Sequence, residues 1–274
     1  MPTAGVVVPA FRPDVDRLAT YVRALDERLA PAALLIELDD PRPGTVEALS
    51  GLPAALDVVP YRRGKGAAIT AGFEALGTDL LAFADADGST PADDVAAVLE
   101  PLRTGRADVA VGSRRHPAAT VETHQTRARR RLGDVFAWLA RRLLDTHLHD
   151  YQCGAKAVTA DAWREVRRHL YEAGFAWDVE FVAMAAALDY HIKEVPVTWY
   201  DHSASTVSPV RTALSMGRGL LVARHRASRL QEKRLYDVLP ERGTTALIDR
   251  DRDPDGERAP ETSGRSSDRG ERSR

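Results

Sequence analysis

The chain has 274 residues, 44% of them hydrophobic, with a formal net charge of -2. That size allows one sizeable α/β domain with a full core or two small ones, and one is the reading adopted; a single cysteine, Cys153, excludes an internal disulfide and any cysteine-rich zinc site. Met1 to Pro9 lacks a basic region followed by a long apolar run, and no roughly eighteen-residue stretch is free of charge, so neither a secretory signal nor a spanning helix is expected.

Ala4 to Pro9 is a valine-rich run ended by proline, and Pro13 to Leu29 repeats apolar residues at helical spacing (Val15, Leu18, Ala19, Val22, Leu25, Leu29), which predicts a strand and then a helix. The alternation continues with a strand over Ala33 to Leu38, a helical turn over Gly44 to Ser50 and a strand over Leu56 to Tyr61. A helix over Gly66 to Leu76, a strand over Leu80 to Ala84, a helix over Pro91 to Arg103 and a strand over Asp108 to Gly112 follow. Strands alternating with helices predict a mainly parallel sheet covered on both faces, with ligands beyond the C-terminal strand ends. Those ends are Pro9 to Arg12, Asp39 to Gly44, Arg62 to Lys65, Asp85 to Thr90 and Ser113 to Arg115. After a polar stretch from His116 to Thr126 come a helix from about Arg127 to Leu144, short elements to Val197 and a helix from about Pro209 to Leu230. Residues 1–235 are expected to form one domain, with 4–113 as a nucleotide-sugar half and 114–235 as an acceptor half. Residues 240–274, almost without large apolar side chains, are expected to be a disordered charged tail. No internal repeat is present.

The strongest local signal is Phe83-Ala84-Asp85-Ala86-Asp87-Gly88-Ser89, an apolar strand delivering two carboxylates into a turn. Mg²⁺ or Mn²⁺ is commonly held by one or two carboxylates while diphosphate oxygens complete the shell. A helix cap for the segment starting near Pro91 explains Asp87 or Ser89 equally well. Arg62-Arg63-Gly64-Lys65-Gly66 follows a strand and opens a helix, so backbone N–H groups and the helix dipole favour an anion there, although the Walker spacing is absent and a plain turn is the simpler account. Asp39-Asp40 ends another strand and can accept hydrogen bonds from a base or ribose, or simply form a turn before Pro41.

Taken in order, Val8-Pro9-Ala10-Phe11, Leu38-Asp39-Asp40, Gly64-Lys65-Gly66-Ala67-Ala68, Ala84-Asp85-Ala86-Asp87-Gly88, Gly112-Ser113-Arg114, Asp150-Tyr151-Gln152-Cys153-Gly154-Ala155-Lys156 and Phe175-Ala176-Trp177-Asp178-Val179-Glu180 resemble a known family. It is the GT-A glycosyltransferases of family 2, and within it the dolichyl-phosphate β-glucosyltransferase and dolichyl-phosphate mannose synthase group. The resemblance covers roughly residues 4 to 232, and Gln152-Cys153-Gly154-Ala155-Lys156 is its most specific run. It implies a GT-A (Rossmann-like) sheet flanked by helices, and an inverting transfer of a hexose from a UDP-glucose or GDP-mannose class donor to a polyprenyl (dolichyl) phosphate, with Mg²⁺ or Mn²⁺ as cofactor. Asp87 and Asp85 are the implied metal ligands. Pro9, Ala10, Phe11, Asp39, Asp40, Gly64, Lys65, Asp85, Ala86, Gln152, Cys153, Gly154, Lys156, Trp177 and Asp178 are assigned to the nucleotide sugar. Arg114, Arg127 and Arg131 resemble the family's acceptor-phosphate arginines, and with Asp85 and Asp87 they form the expected catalytic set. The sequence departs from the family where Phe11-Arg12 replaces an Asn-Glu pair and where Pro41 follows Asp39-Asp40 in place of Gly-Ser, which bears on base and donor, not on class.

A phosphate acceptor is already anionic and needs positioning rather than deprotonation, which suits arginine. The helices carrying Val135, Phe136, Trp138, Leu139 beside Arg141 and Arg142, and Leu214, Leu220, Leu221 near Arg218 and Arg224, have the basic amphipathic character of a membrane-surface element, though core packing explains such stripes too. The expected setting is cytoplasmic and peripheral on the cytoplasmic face of the membrane, with no nucleic-acid partner. Asp178 and Glu180 are sugar or acceptor contacts or buried helix polar groups; His202 is an extra metal ligand or a loop histidine. The alternatives are transfer to a soluble hydroxyl acceptor, a sugar-nucleotide nucleotidyltransferase, whose glycine-rich first loop is missing here, and a non-catalytic binding protein.

Overall fold

The computed structural model describes residues 1–121, 127–200 and 209–231, with backbone alone for 127–132 and 209–214. The expected tail over 240–274 and the Asp201 to Ser205 loop with His202 lie outside the described residues.

The elements in chain order are β1 (Ala4–Phe11), α1 (Val15–Leu29), β2 (Ala33–Asp39), α2 (Thr45–Leu49), β3 (Ala55–Val59), α3 (Lys65–Ala75), β4 (Leu80–Ala84), α4 (Ala92–Arg103) and β5 (Val109–Ser113). They continue with β6 (Thr120–Val121), α5 (Arg127–Leu143), β7 (Ala155–Thr159), α6 (Ala160–Val166), α7 (Trp177–Ala187), β8 (Ile192–Pro196), β9 (Thr198–Trp199) and α8 (Pro209–Leu230). Seven strands form one sheet in the order β3-β2-β1-β4-β7-β5-β8. All pairs are parallel except those made by β7, which runs antiparallel between β4 and β5. β6 and β9 form a separate two-stranded parallel pair. Strands from both expected halves, 4–113 and 114–235, therefore join a single sheet.

The alternation of side chains along each strand divides the core into two layers. Val7, Leu81, Phe83, Val109, Val111 and Val158 face one layer, with α3, α5, α6, α7 and α8. Val6, Val8, Leu80, Ala82, Ala110 and Ala157 face the other, under α1, α2 and α4. α1 starts where Asp14 accepts from Arg17 N at 3.1 Å, an ordinary side-chain cap. β1 runs two residues past the expected end at Pro9. It tolerates the proline because pairing with β4 stops at Val7, leaving Pro9 beside a free edge.

Two elements were hidden among the expected short ones. β7 is only five residues long and is buried on both faces, so it has no polar-apolar alternation to betray it. α7 is buried on almost every side, so its sequence lacks the amphipathic stripe that marks a surface helix.

Candidate functional site

An antiparallel strand starts at the edge where its parallel neighbours end. β7 therefore brings Asp150 to Gly154, the turn that feeds it, to the C-terminal ends of β4 and β5, directly beside Asp85 and Arg114. The contact is close: Asp85 N donates to Gly154 O at 2.8 Å, and a Cβ added at Gly154 would stand 2.1 Å from Asp85 Oδ2. The glycine in Gln152-Cys153-Gly154 is thus required by the carboxylate of the neighbouring strand.

Around Asp85 the charges are paired. Lys65, from the first turn of α3, lies 2.9 Å from Asp85 Oδ1 and 2.9 Å from Asp178 Oδ2. Lys156, paired with Phe83 across β4 and β7, lies 2.6 Å from Asp178 Oδ1 and donates to Cys153 O at 2.7 Å. Burial works against the charge on Lys65, yet Asp178 and Asp85 outweigh it and raise its pKa. Burial likewise opposes ionisation of Asp178, but Lys156 and Lys65 prevail and lower it. At Asp85 burial wins, aided by the neighbouring Asp87 and Asp178, and its pKa rises despite Lys65.

Asp87 is exposed and its Oδ1 accepts from Ser89 N at 2.9 Å. The turn it occupies is held from α1, where the buried Tyr21 hydroxyl donates to Thr90 O at 2.7 Å and its ring lies under Gly88. The expected helix cap is not formed: α4 begins after Pro91 without a side-chain hydrogen bond, and Asp87 instead closes its own turn on Ser89 N, beside Asp85 at the sheet edge. Among the described residues no group of three or more His, Cys, Asp or Glu side chains gathers as a closed metal cage. A pair of carboxylates with an open remainder is the donor set that Mg²⁺ or Mn²⁺ takes when phosphate oxygens and water supply the other ligands, so Asp85 and Asp87 fit such an ion.

On one flank, Asp39 is 2% exposed and occupied: it accepts from Arg63 N and Gly64 N at 2.7 and 3.2 Å, and Arg63 Nε reaches it at 2.7 Å. Arg63 also pairs with Glu37 at 2.7 Å. Burial pushes the Glu37 carboxyl up to about 7 in spite of Arg63, whereas Arg63, shared with Asp39 and Glu37, is raised. Asp40, in the left-handed region at φ 47°, pairs with Arg12 at 2.7 Å. Phe11 is 40% exposed, with the Arg62 guanidinium 4.3 Å from its ring centre, an open aromatic face beside Pro9 and Ala10.

On the other flank, Arg114 is held by both oxygens of Asp150, at 2.7 and 3.0 Å. Burial opposes each charge but the pairing dominates, raising Arg114 and lowering Asp150. Arg127 opens α5 and Arg131 follows one turn later, and their side chains lie outside the described residues.

Several residues assigned to the nucleotide sugar stand elsewhere. Trp177 is fully buried, stacked on Phe181 at 5.0 Å and edge-on to Phe83, so it packs the core beneath the cleft. Cys153 and Lys156 are buried as well, at 0% and 1% exposure, and support the site from below. Gln152 and Ala86 remain at the cleft, partly exposed. Sequence reasoning passed over Glu37, Arg63, Tyr21 and Asp150 as working parts. The signal for Glu37 was present: a carboxylate inside the apolar strand Leu34-Leu35-Ile36-Glu37-Leu38 must find a cation.

Residues 6–167 match glycosyl transferase family 2. The chain is 34% identical over 174 residues to a mouse (Mus musculus) dolichyl-phosphate beta-glucosyltransferase, covering 60% of this chain and 52% of that protein. It is 27% identical over 205 residues to an undecaprenyl-phosphate mannosyltransferase of Micrococcus luteus, covering 71% and 82%. It is 31% identical over 160 residues to the glycosyltransferase AglD of Haloferax volcanii, covering 58% and 25%. The chain thus spans a quarter to about half the length of the first of the curated relatives it matches. In fold it resembles glucosyl-3-phosphoglycerate synthase of Mycobacterium tuberculosis, solved with Mn²⁺, UDP and glucosyl-3-phosphoglycerate, with TM-score 0.61 and 16% identity over 82% of this chain and 80% of that one. A match over more than half of its length, on a mostly parallel α/β sheet with the paired aspartates at its edge, makes this chain a member of glycosyl transferase family 2.

Proposed function

We propose that the chain is an inverting glycosyltransferase that moves a hexose from a nucleotide-diphosphate sugar to a polyprenyl phosphate. The observation that carries the choice of acceptor is the pairing of carboxylates around the cleft. Among the described residues, Asp39, Asp40, Asp85, Asp150 and Asp178 each have a cation on them, and Asp150 and Asp178 have lowered pKa values. A hydroxyl acceptor needs a carboxylate able to take its proton; Asp150 and Asp178, paired and with depressed pKa values, are poor at this, and Asp85, whose pKa is raised, is engaged by Lys65 and assigned to the ion. A phosphate nucleophile needs only to be placed. The names of the relatives, glucosyl and mannosyl transferases for dolichyl and undecaprenyl phosphate, support the same acceptor class.

In this reading Asp87, with Asp85 behind it, would hold Mg²⁺ or Mn²⁺ beside the donor diphosphate, and such an ion would supply positive charge for the leaving group. Lys65 stands ready on the same side, tethered by Asp178, to offer its ammonium to that charge. Phe11 offers the base an aromatic face, and Asp39 keeps the Arg63-Gly64 backbone in place rather than reading the base. Arg127 and Arg131 receive the acceptor phosphate, and Arg114, locked by Asp150, is a guanidinium fixed in place between the two substrates.

No helix of the described residues is long and apolar enough to cross a membrane. Val135 and Trp138, one turn apart on α5, are 61% and 56% exposed, and Leu221 on the adjacent α8 is 46% exposed. With arginines on the same helices, they form the side proposed to rest on a lipid surface near the acceptor. The test is incubation of the protein and Mn²⁺ with short-chain polyprenyl phosphate, or with 3-phosphoglycerate, and a panel of labelled nucleotide sugars. Labelled lipid is the expected product. Label in phosphoglycerate alone refutes the lipid acceptor, and label in neither refutes the transferase reading.

A further inference from the structure

We propose that Glu180 on α7 and Arg226 on α8 form a positioning latch through which α8 sets the placement of Lys65 at the donor side of the cleft. The consequence for the donor rests on the glycosyltransferase reading; the mechanical link does not. Glu180 is 2% exposed. Its Oε1 is paired with Arg226, and its Oε2 accepts from Tyr171 N at 2.8 Å and Glu172 N at 2.7 Å. The Arg226 guanidinium also lies 4.5 Å from the centre of the Tyr171 ring. One carboxylate thus fastens the loop before α7 and α8 to each other.

That loop is the seat of the α3 N-terminus. Ala173 O accepts from Ala67 N at 3.1 Å. A Cβ at Gly64 would meet Ala173 O at 2.5 Å, and one at Gly66 would meet Glu172 O at 2.5 Å, so the two glycines let backbone lie directly on backbone. Backbone in such contact has no side chain to absorb a displacement, and movement of the loop passes to the first turn of α3. Between those glycines stands Lys65, whose ammonium is shared by Asp85 and Asp178. The glycine-lysine-glycine run therefore presents a lysine on a turn whose position is dictated by residues 171–174, and these answer to α8. Burial of Glu180 raises its pKa against the pull of Arg226 and the two N–H groups, so a Glu180 without its cation would be a weakened clamp.

The experiment compares wild type, Arg226→Met, Glu180→Gln and Arg226→Lys by amide hydrogen exchange of the ligand-free protein and by calorimetric binding of UDP and GDP with Mn²⁺. In Arg226→Met, faster exchange is expected at Tyr171, Glu172 and Ala67 but not at Val6 in β1. Nucleotide affinity should fall on the order of tenfold, as for other groups that orient a binding residue from behind, with Arg226→Lys restoring most of it. Should Arg226→Met fail to fold, Glu180→Gln, which keeps volume and an acceptor oxygen, carries the same comparison. A pair that merely ties two helices together lowers the melting temperature and leaves Ala67 exchange and nucleotide affinity unchanged, and that result overturns the latch. Wild type binding neither nucleotide defeats the glycosyltransferase reading, while the exchange data still decide the link from Arg226 to Ala67.

Discussion

Gly154→Ala is the sharpest available perturbation of the cleft, because it adds one carbon at the point where two strands carry the site. The new Cβ would lie 2.1 Å from Asp85 Oδ2, 2.4 Å from its Cγ and 2.9 Å from its Cβ, where ordinary contact begins at 3.4 Å. Rotating the carboxylate relieves the first two clashes. It does not relieve the third, so the end of β4 must itself shift by a few tenths of an ångström while the carboxylate moves by about 1 Å. Asp85 is partly exposed and has room to turn outward, and Gly154 is not in the left-handed region, so the protein is expected to fold with a loss of about 1–3 kcal/mol. A misplacement of about 1 Å in a reacting constellation costs roughly 100-fold in rate, or ~2.7 kcal/mol of transition-state stabilisation. Steady-state transfer from the preferred nucleotide sugar, with a thermal melt as control, is the assay. A folded Gly154→Ala protein with wild-type kcat/KM would show that Asp85 has no fixed place in the reaction, and the site as described would fall.

Two further outcomes follow from individual carboxylates. Asp87→Asn keeps the acceptor oxygen for Ser89 N and so the turn, but removes the charge; turnover should fall on the order of 100- to 1,000-fold, and Mn²⁺ should no longer strengthen nucleotide binding, while binding in EDTA is not weakened. A retained Mn²⁺ response would place the ion elsewhere. Glu37 ionises near 4.5 when unfolded and at about 7 in the fold, so the folded chain holds the extra proton between those values and stability falls as pH rises through that window, the loss being complete above it. Glu37→Gln removes this dependence and should be more stable than wild type at pH 8 by at most ~3 kcal/mol, the difference vanishing toward pH 4, as denaturant unfolding at both pH values would report. A wild type that gains on the variant with rising pH contradicts the buried-acid account.

The alternation of buried strands with amphipathic helices made the first five sheet strands and α1, α3 and α4 readable from the sequence to within a few residues. Each of those strands ends in a turn with its own chemistry, and that made the sheet edge legible as a site. For two of the hidden elements the physical origin is the same. β7 and α7 are enclosed on almost every side, and that burial removes the polar-apolar rhythm on which such reading depends. For the same reason Trp177 and Lys156 were placed against the ligand: a motif reports that residues matter, not whether they face the cleft or brace it. Lys156 shows the difference, since a lysine 1% exposed can be tolerated only by partners as close as Asp178 and Cys153 O.

The bracing also bears on why a site proposed to take a diphosphate contains so much acid. Arg63, Lys65, Arg114 and Arg12 are each already held by carboxylates, so their charges fix geometry before any substrate arrives. Among the described residues Asp87 is left on the open side with a backbone N–H as its hydrogen-bond partner, and its charge repels an incoming anion. A site assembled from paired charges plus one outward carboxylate is rigid but unreceptive to pyrophosphate on its own. On the proposed reading a divalent ion at Asp87 would reverse the sign of the potential where a diphosphate would lie, and the neutralised pairs around it would not need to reorganise. Pre-pairing and the proposed metal dependence are in that sense two consequences of one arrangement: the lysine and arginines are held in position by the carboxylates, and the attraction for the donor would be left to the cation.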